Sequence, residues 1–301
     1  MQKTAVAGKT GMYAILELDR IPQLAERLQV NLQDPQGLMI AQTLSSMLTM
    51  ELSPEASGII ISPEHNFHSI MEKAPACGLL LSLERRLPAY DPLALPPLLE
   101  SWGPEHISNN YALAKLELYY HPQEEQAEKK RQMVAEIYDY CQHLGIDLLL
   151  KLRIYQPPAA AEPTSDSNTS GSNDAMLEAI EDLRRLADLL ALEMPADPIA
   201  AVTITAELDV PWLFSPENFG YEQYKENLRA ALESGAAGFL AGEVLWAEMP
   251  EPVAAEPGAN VSYDATQEYV KTIARDRLIE LVRITEEHTQ KSQPPEQADS
   301  V

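Results

Sequence analysis

The run Leu113–Tyr120 (LAKLELYY) places Lys115, Glu117 and Tyr119 on one face of a β-strand, because successive strand side chains point to opposite sides. A lysine and a glutamate within an apolar strand are costly to bury unless they pair or do chemistry. With carboxylates in reach, Lys115 keeps its charge and can grip an anionic or carbonyl oxygen. Asp19 and Glu84, which end two earlier apolar runs, are the expected carboxylates. Lys151 stands in the next apolar run. Two lysines sharing one pocket would lower the pKa of one of them and favour a nucleophilic amine. Lys115, Lys151, Asp19 and Glu84 are therefore the candidate catalytic residues.

The elements that must position these groups alternate along the chain. Strand-like runs lie at residues 12–19, 57–62, 77–83, 113–120, 146–155, 188–194, 209–215 and 236–243, and several are separated by helically spaced segments such as 123–144, 174–187 and 220–234. A further helix is expected at 33–52, between the first two strands, and a last one at 268–287. Strands that are apolar throughout and alternate with helices predict a parallel sheet buried on both faces. Eight such units in about 250 residues predict an α/β fold of the (β/α)₈ TIM-barrel type, a single domain over residues 1–289, ahead of a doubly wound open sheet. In a barrel the C-terminal strand ends converge on one mouth. Those ends add Arg20, Glu193, Ser215 and Glu243 as candidate substrate-binding residues, with Glu17, Ser62, Glu64, Arg85 and Arg153 nearby. The stretch 156–173 (QPPAAAEPTSDSNTSGSN) reads as a flexible loop after the fifth strand, and 290–301 as a disordered polar tail.

Composition narrows the partners. A formal charge of −24 over 301 residues argues against nucleic acid, whose phosphates require Lys and Arg for neutralisation. No run approaches the ~18 apolar residues of a membrane span, and the N-terminus lacks the apolar core of a secretion signal. Cys77 and Cys141 are too few for a disulfide framework, so a cytoplasmic protein is expected. Gly8-Lys9-Thr10 lacks the rest of a phosphate loop, and Glu64, His65 and His68 have no second cluster to complete a metal site. Neither a metal nor a cofactor is expected. The remaining partners are a small molecule, and a second copy or protein partner docking on the acidic surface.

Beyond these readings, several segments resemble the tagatose-1,6-bisphosphate aldolase family, class I aldolases with a TIM-barrel fold. Ser57-Gly58-Ile59-Ile60-Ile61-Ser62-Pro63-Glu64 is similar to that family's second strand, and Gly78-Leu79-Leu80-Leu81-Ser82-Leu83-Glu84 to its third. Pro97-Leu98-Leu99-Glu100-Ser101-Trp102 and the Lys115–Tyr120 run follow in the family's order. Glu233–Gly242, with Trp246 after it, resembles the eighth strand and its approach. The resemblance covers roughly Met12 to Trp246. It implies cleavage of a ketose bisphosphate through a lysine Schiff base, with Asp19, Glu84 and Lys115 on retained active-site positions.

Five departures modify that implication. In Asp188–Pro195, Ala191 stands where the resemblance puts the Schiff-base lysine, and an alanine has no amine. Arg20 replaces a glutamine, Lys151 a glutamate, Glu243 an arginine suited to phosphate, and Ser215-Pro216-Glu217-Asn218 a small Ala-Gly turn offering backbone N–H groups. The expectation is a divergent aldolase-like barrel that lacks the standard Schiff-base reaction, a pseudoenzyme that binds a carbohydrate-like metabolite or a partner. The alternative is an active aldolase-type lyase on a sugar or sugar monophosphate that uses Lys151 or Lys115 as its amine.

Overall fold

Each apolar run must bury two faces, and it does so by joining a ring. The computed structural model of the chain describes residues 2–87, 90–155, 167–195, 198–254 and 261–292. Strands β1 (Tyr13–Glu17), β2 (Gly58–Ile61), β3 (Gly78–Ser82), β4 (Leu113–Tyr120), β5 (Leu148–Ile154), β6 (Leu189–Leu192), β7 (Trp212–Phe214) and β8 (Gly238–Ala241) pair in that order. All pairings are parallel, and Tyr13 opposite Gly238 and Leu16 opposite Ala241 close β8 onto β1. This closure removes both sheet edges and decides for the (β/α)₈ barrel over the open sheet.

Alternation along the strands builds two cores. On β4, Ala114, Leu116 and Leu118 pack outward under the helices, while Leu113 faces the barrel axis. The inner core holds Tyr13, Ile15, Ile60, Leu80, Leu149, Leu189, Leu213 and Leu240. Two residues further along the same inward rows the chain switches from apolar to charged, as at Leu113–Lys115–Glu117 and Leu149–Lys151–Arg153. The N-terminal end of the barrel is stoppered by the 3₁₀ turn Lys3–Val6, whose Val6 is fully buried within the inner core.

The helical layer departs from the strict repeat. The first crossover carries two helices, α1 (Ile21–Arg27), not evident in the sequence, and α2 (Pro35–Leu52), close to the expected 33–52. Asp34 starts α2 by accepting a hydrogen bond from the Gly37 N–H at 3.2 Å, and Pro35 supplies the fixed φ of a first helical residue. The short α3 (Pro104–Asn109) precedes β4; α4 (Ala127–His143), α5 (Ser167–Leu183), α6 (Pro198–Glu207) and α7 (Tyr221–Glu233) follow β4 to β7. The helix expected from 174 begins at Ser167, so the last part of the expected loop 156–173 is helical, in keeping with the preference of Ser, Thr and Asn for helix starts. Positions 156–166 lie outside the described residues. The C-terminal helix is broken by a π turn at Val270–Ala274 between α8 (Asp264–Tyr269) and α9 (Arg275–Ser292). It reaches three residues into the expected tail, of which 293–301 lie outside the described residues.

Candidate functional site at the barrel mouth

The charged upper layer is one connected ion network. Lys115, fully buried, donates from Nζ to Asp19 Oδ2 at 2.8 Å and to Glu84 Oε1, with Glu117 Oε2 3.6 Å away. Ser82 Oγ donates to the same Asp19 oxygen at 2.7 Å. Lys151 donates to Glu17 and lies 4.0 Å from Glu117. Arg153 reaches Glu117 at 3.3 Å, Glu193 at 2.6 Å and the Ser215 carbonyl at 3.2 Å, and also pairs with Glu217.

Two arginines arrive from loops and close over these strand residues. Arg20, just past β1, bonds Glu117 at 3.1 Å, lies 3.4 Å from Glu17 and pairs with Glu217 in the loop after β7. Arg86 follows β3 and bonds Asp19 through Nη2 at 3.0 Å and through Nε at 3.2 Å, and pairs with Glu117 through Nη1. Its loop is tied to the barrel rim by an antiparallel bridge between Glu84 and Leu98 and by Arg85 N–H donating to the Pro97 carbonyl at 2.7 Å. That tie holds the Arg86 guanidinium, 8% exposed, over the carboxylates.

The network sets the charge states. Burial pushes the Asp19 carboxyl up, but Arg86 and Lys115 together hold it well below the usual carboxylate range. Burial likewise opposes ionisation of Glu117, and Arg86, Lys151, Arg20 and Lys115 override it to hold that group far down. Glu17 is lowered to about 2 because Arg20 and Lys151 outweigh its burial. Glu84 goes the other way: burial exceeds the help of Lys115 and Arg86 and raises it. Lys115 is raised, since Asp19, Glu84 and Glu117 overcome burial and the nearby Arg86. Lys151 is lowered to about 7 by burial and then by the repulsion of Arg20, against the pull of Glu117 and Glu17. Chemically, the mouth thus offers an amine at Lys151 with a pKa of about 7, beside a paired carboxylate at Glu84 whose ionisation burial disfavours.

The structure brings Asp19, Glu84, Lys115, Lys151, Arg20 and Glu193 together. Ser215 takes part through its backbone carbonyl, not through the hydroxyl expected to meet a ligand. Glu243 stands apart on the 3₁₀ turn Glu243–Leu245 at the rim, exposed and without an ion pair among the described residues. Arg85, read as an inward residue at a strand end, instead pairs with Glu64 at 3.0 Å and is 43% exposed; its neighbour Arg86, missed in the sequence, takes the inward place. The only sequence signal for Arg86 is the arginine doublet after the third strand, and alternation beyond a strand end does not say which member turns in. Of the two lysines expected to lower the pKa of one of them, Lys151 is the one lowered, by burial first and then by repulsion from Arg20. Ala191 is fully buried in the inner core and lies opposite Lys151 in the β5–β6 ladder. Among the described residues no three His, Cys, Asp or Glu side chains gather as a metal would require.

The fold is a TIM barrel similar in architecture to solved aldolases. A Schiff-base-forming fructose-1,6-bisphosphate aldolase superposes with a TM-score of 0.57 at 16% identity, covering 89% of this chain and 95% of its own. A fructose-bisphosphate aldolase from Slackia heliotrinireducens gives 0.59 at 11% identity, over 96% and 88%. No protein-family model matches the chain. By sequence the chain is a distant, divergent relative of the tagatose 1,6-diphosphate aldolases. It is 24% identical to tagatose 1,6-diphosphate aldolase 2 of Enterococcus faecalis over 298 residues, covering 89% of this chain and 87% of that one. It is 25% identical to tagatose 1,6-diphosphate aldolase 1 of Streptococcus pyogenes serotype M3 over 312 residues and 92% of both.

Proposed function

We propose that this barrel is a pseudoenzyme: it retains the aldolase architecture, does not form a Schiff base, and binds a small carbohydrate-like molecule at its mouth. The observation that carries this reading is Ala191, a fully buried methyl in the inner core at the position that the resemblance gives to the imine-forming lysine. Both remaining inward lysines are buried and held by carboxylates, Lys115 by Asp19 and Glu84, and Lys151 by Glu17. An amine must be free and near an open cavity to attack a carbonyl, and Lys115 and Lys151 are 0% and 1% exposed. With two buried free cysteines, the proposed compartment is a reducing one, the cytoplasm.

The test is reduction with borohydride in the presence of tagatose 1,6-bisphosphate or a triose phosphate, followed by intact-mass measurement and a coupled assay for cleavage. The expected result is an unmodified mass and no triose release. A second reading has one observation in its favour. The Lys151 amine, lowered to about 7 and directly across the ladder from Ala191, would be partly unprotonated at neutral pH. In that case the protein is an aldolase-type lyase on a sugar or sugar monophosphate, and a reduced adduct mapped to Lys151 or Lys115 would establish it.

A further inference from the structure

Between the ends of β7 and β8 the mouth opens into a cavity of about 370 Å³, within the range of small-molecule sites. Its walls include Glu17, Arg20, Glu217, Asn218, Phe219 and Glu243. Among the described residues Arg20 is the one cationic side chain lining it, and its guanidinium is already engaged by Glu17, Glu117 and Glu217. Glu17 and Glu217 are also paired from behind the wall by Lys151 and Arg153, which leaves Glu243 as the lining carboxylate with no cation on it among the described residues. Gly220, at the N-terminus of α7, also lines the cavity. A helix N-terminus contributes only about half a positive charge, so the local balance remains negative and a phosphate dianion is repelled.

The same walls suit hydroxyl groups. Carboxylate oxygens accept from hydroxyls, and the Asn218 amide can both donate and accept. Glu243 has its acceptor capacity free, since it makes no ion pair among the described residues, and Phe219, 43% exposed, offers an apolar face. We infer that this cavity takes a neutral, unphosphorylated sugar or polyol and discriminates against sugar phosphates through Glu243. This rests on the proposed reading of the barrel as a ligand-binding protein and specifies its ligand class.

The experiment is calorimetric titration and thermal shift of the full chain with D-tagatose, a hexitol, tagatose 1,6-bisphosphate and inorganic phosphate at equal millimolar concentration. Saturable binding of a neutral probe at least about tenfold tighter than either phosphate probe is expected. Glu243→Arg, an exposed substitution that leaves the ion network intact, should narrow or reverse that ratio by about tenfold. Phe219→Ala should weaken neutral-probe binding without admitting phosphate. Absence of neutral binding, equal or tighter binding of a phosphate probe, or a ratio indifferent to both substitutions overturns the inference. A borohydride adduct in the trapping experiment would instead defeat the pseudoenzyme reading and leave the charge preference standing.

Discussion

Lys115 has a carboxylate on two sides, no exposed surface, and a strand beneath it that fixes its direction. Replacing it with Met would leave Asp19 and Glu84 facing each other with only Arg86 to neutralise them. Removing one partner of a buried pair typically costs about 3–5 kcal/mol, and denaturant unfolding of Lys115→Met is expected to show a loss of that size. A loss under about 1 kcal/mol would mean that the network is more hydrated than its burial indicates. Lys115 was legible in the sequence because a strand alternates strictly. Arg86 was not, because a guanidinium on a loop can reach several places and only the loop's tether chooses among them.

At the scale of elements, the apolar centres of all eight strands were legible, and so were the limits of β4, Leu113–Tyr120, while the limits of the other seven were not. The reading of 209–215 exceeds β7, Trp212–Phe214, because Val210 and Pro211 extend the apolar run on the N-terminal side of the strand. Helix α1 was hidden because a seven-residue helix has too few turns to show a period. The stopper at the closed end of the barrel depends on a glycine instead. A Cβ added to Gly78 would meet the Ala5 carbonyl oxygen and sit 2.6 Å from Val6 Cγ1, so the backbones pass too closely for any side chain. Gly78→Ala is therefore expected to displace the 3₁₀ turn and destabilise the fold by about 1–3 kcal/mol. Hydrogen exchange at residues 3–6 should accelerate with it, and unchanged exchange would show that the stopper tolerates the methyl.

For the whole molecule, pH dependence sums these local shifts. Glu17, held at about 2 against an ordinary 4.5, stabilises the fold fully above pH 4.5. Its contribution, roughly 3 kcal/mol, fades as pH falls from 4.5 towards 2, because the unfolded chain binds the proton first. Asp19 and Glu117 act in the same direction, and the raised Glu84 partly opposes them. Lys151 has a separate window. With its pKa at about 7 folded and 10.5 ordinarily, the unfolded chain binds more protons between those values, so stability rises with pH across them. Thermal melts from pH 3 to 9 are expected to climb steeply at the acid end and gently above pH 7. Lys151→Met should abolish the gentle rise and shorten the acid limb, which Arg20, Arg86 and Lys115 still sustain; persistence of the rise in that variant would assign it to another group.

The sequence by itself determined the barrel, the shared face of Lys115 and Glu117, and the alanine in the sixth strand, while the inward turn of Lys151 is read from the structure. These follow from periodicities of two and about 3.6 residues, which are properties of local backbone geometry. Only the tertiary structure decided that the charges cancel one another across the barrel axis, with Arg86 and Arg20 completing the set. Pairing between groups as far apart in the chain as Lys151 and Glu17 depends on ring closure, and no local spacing encodes it.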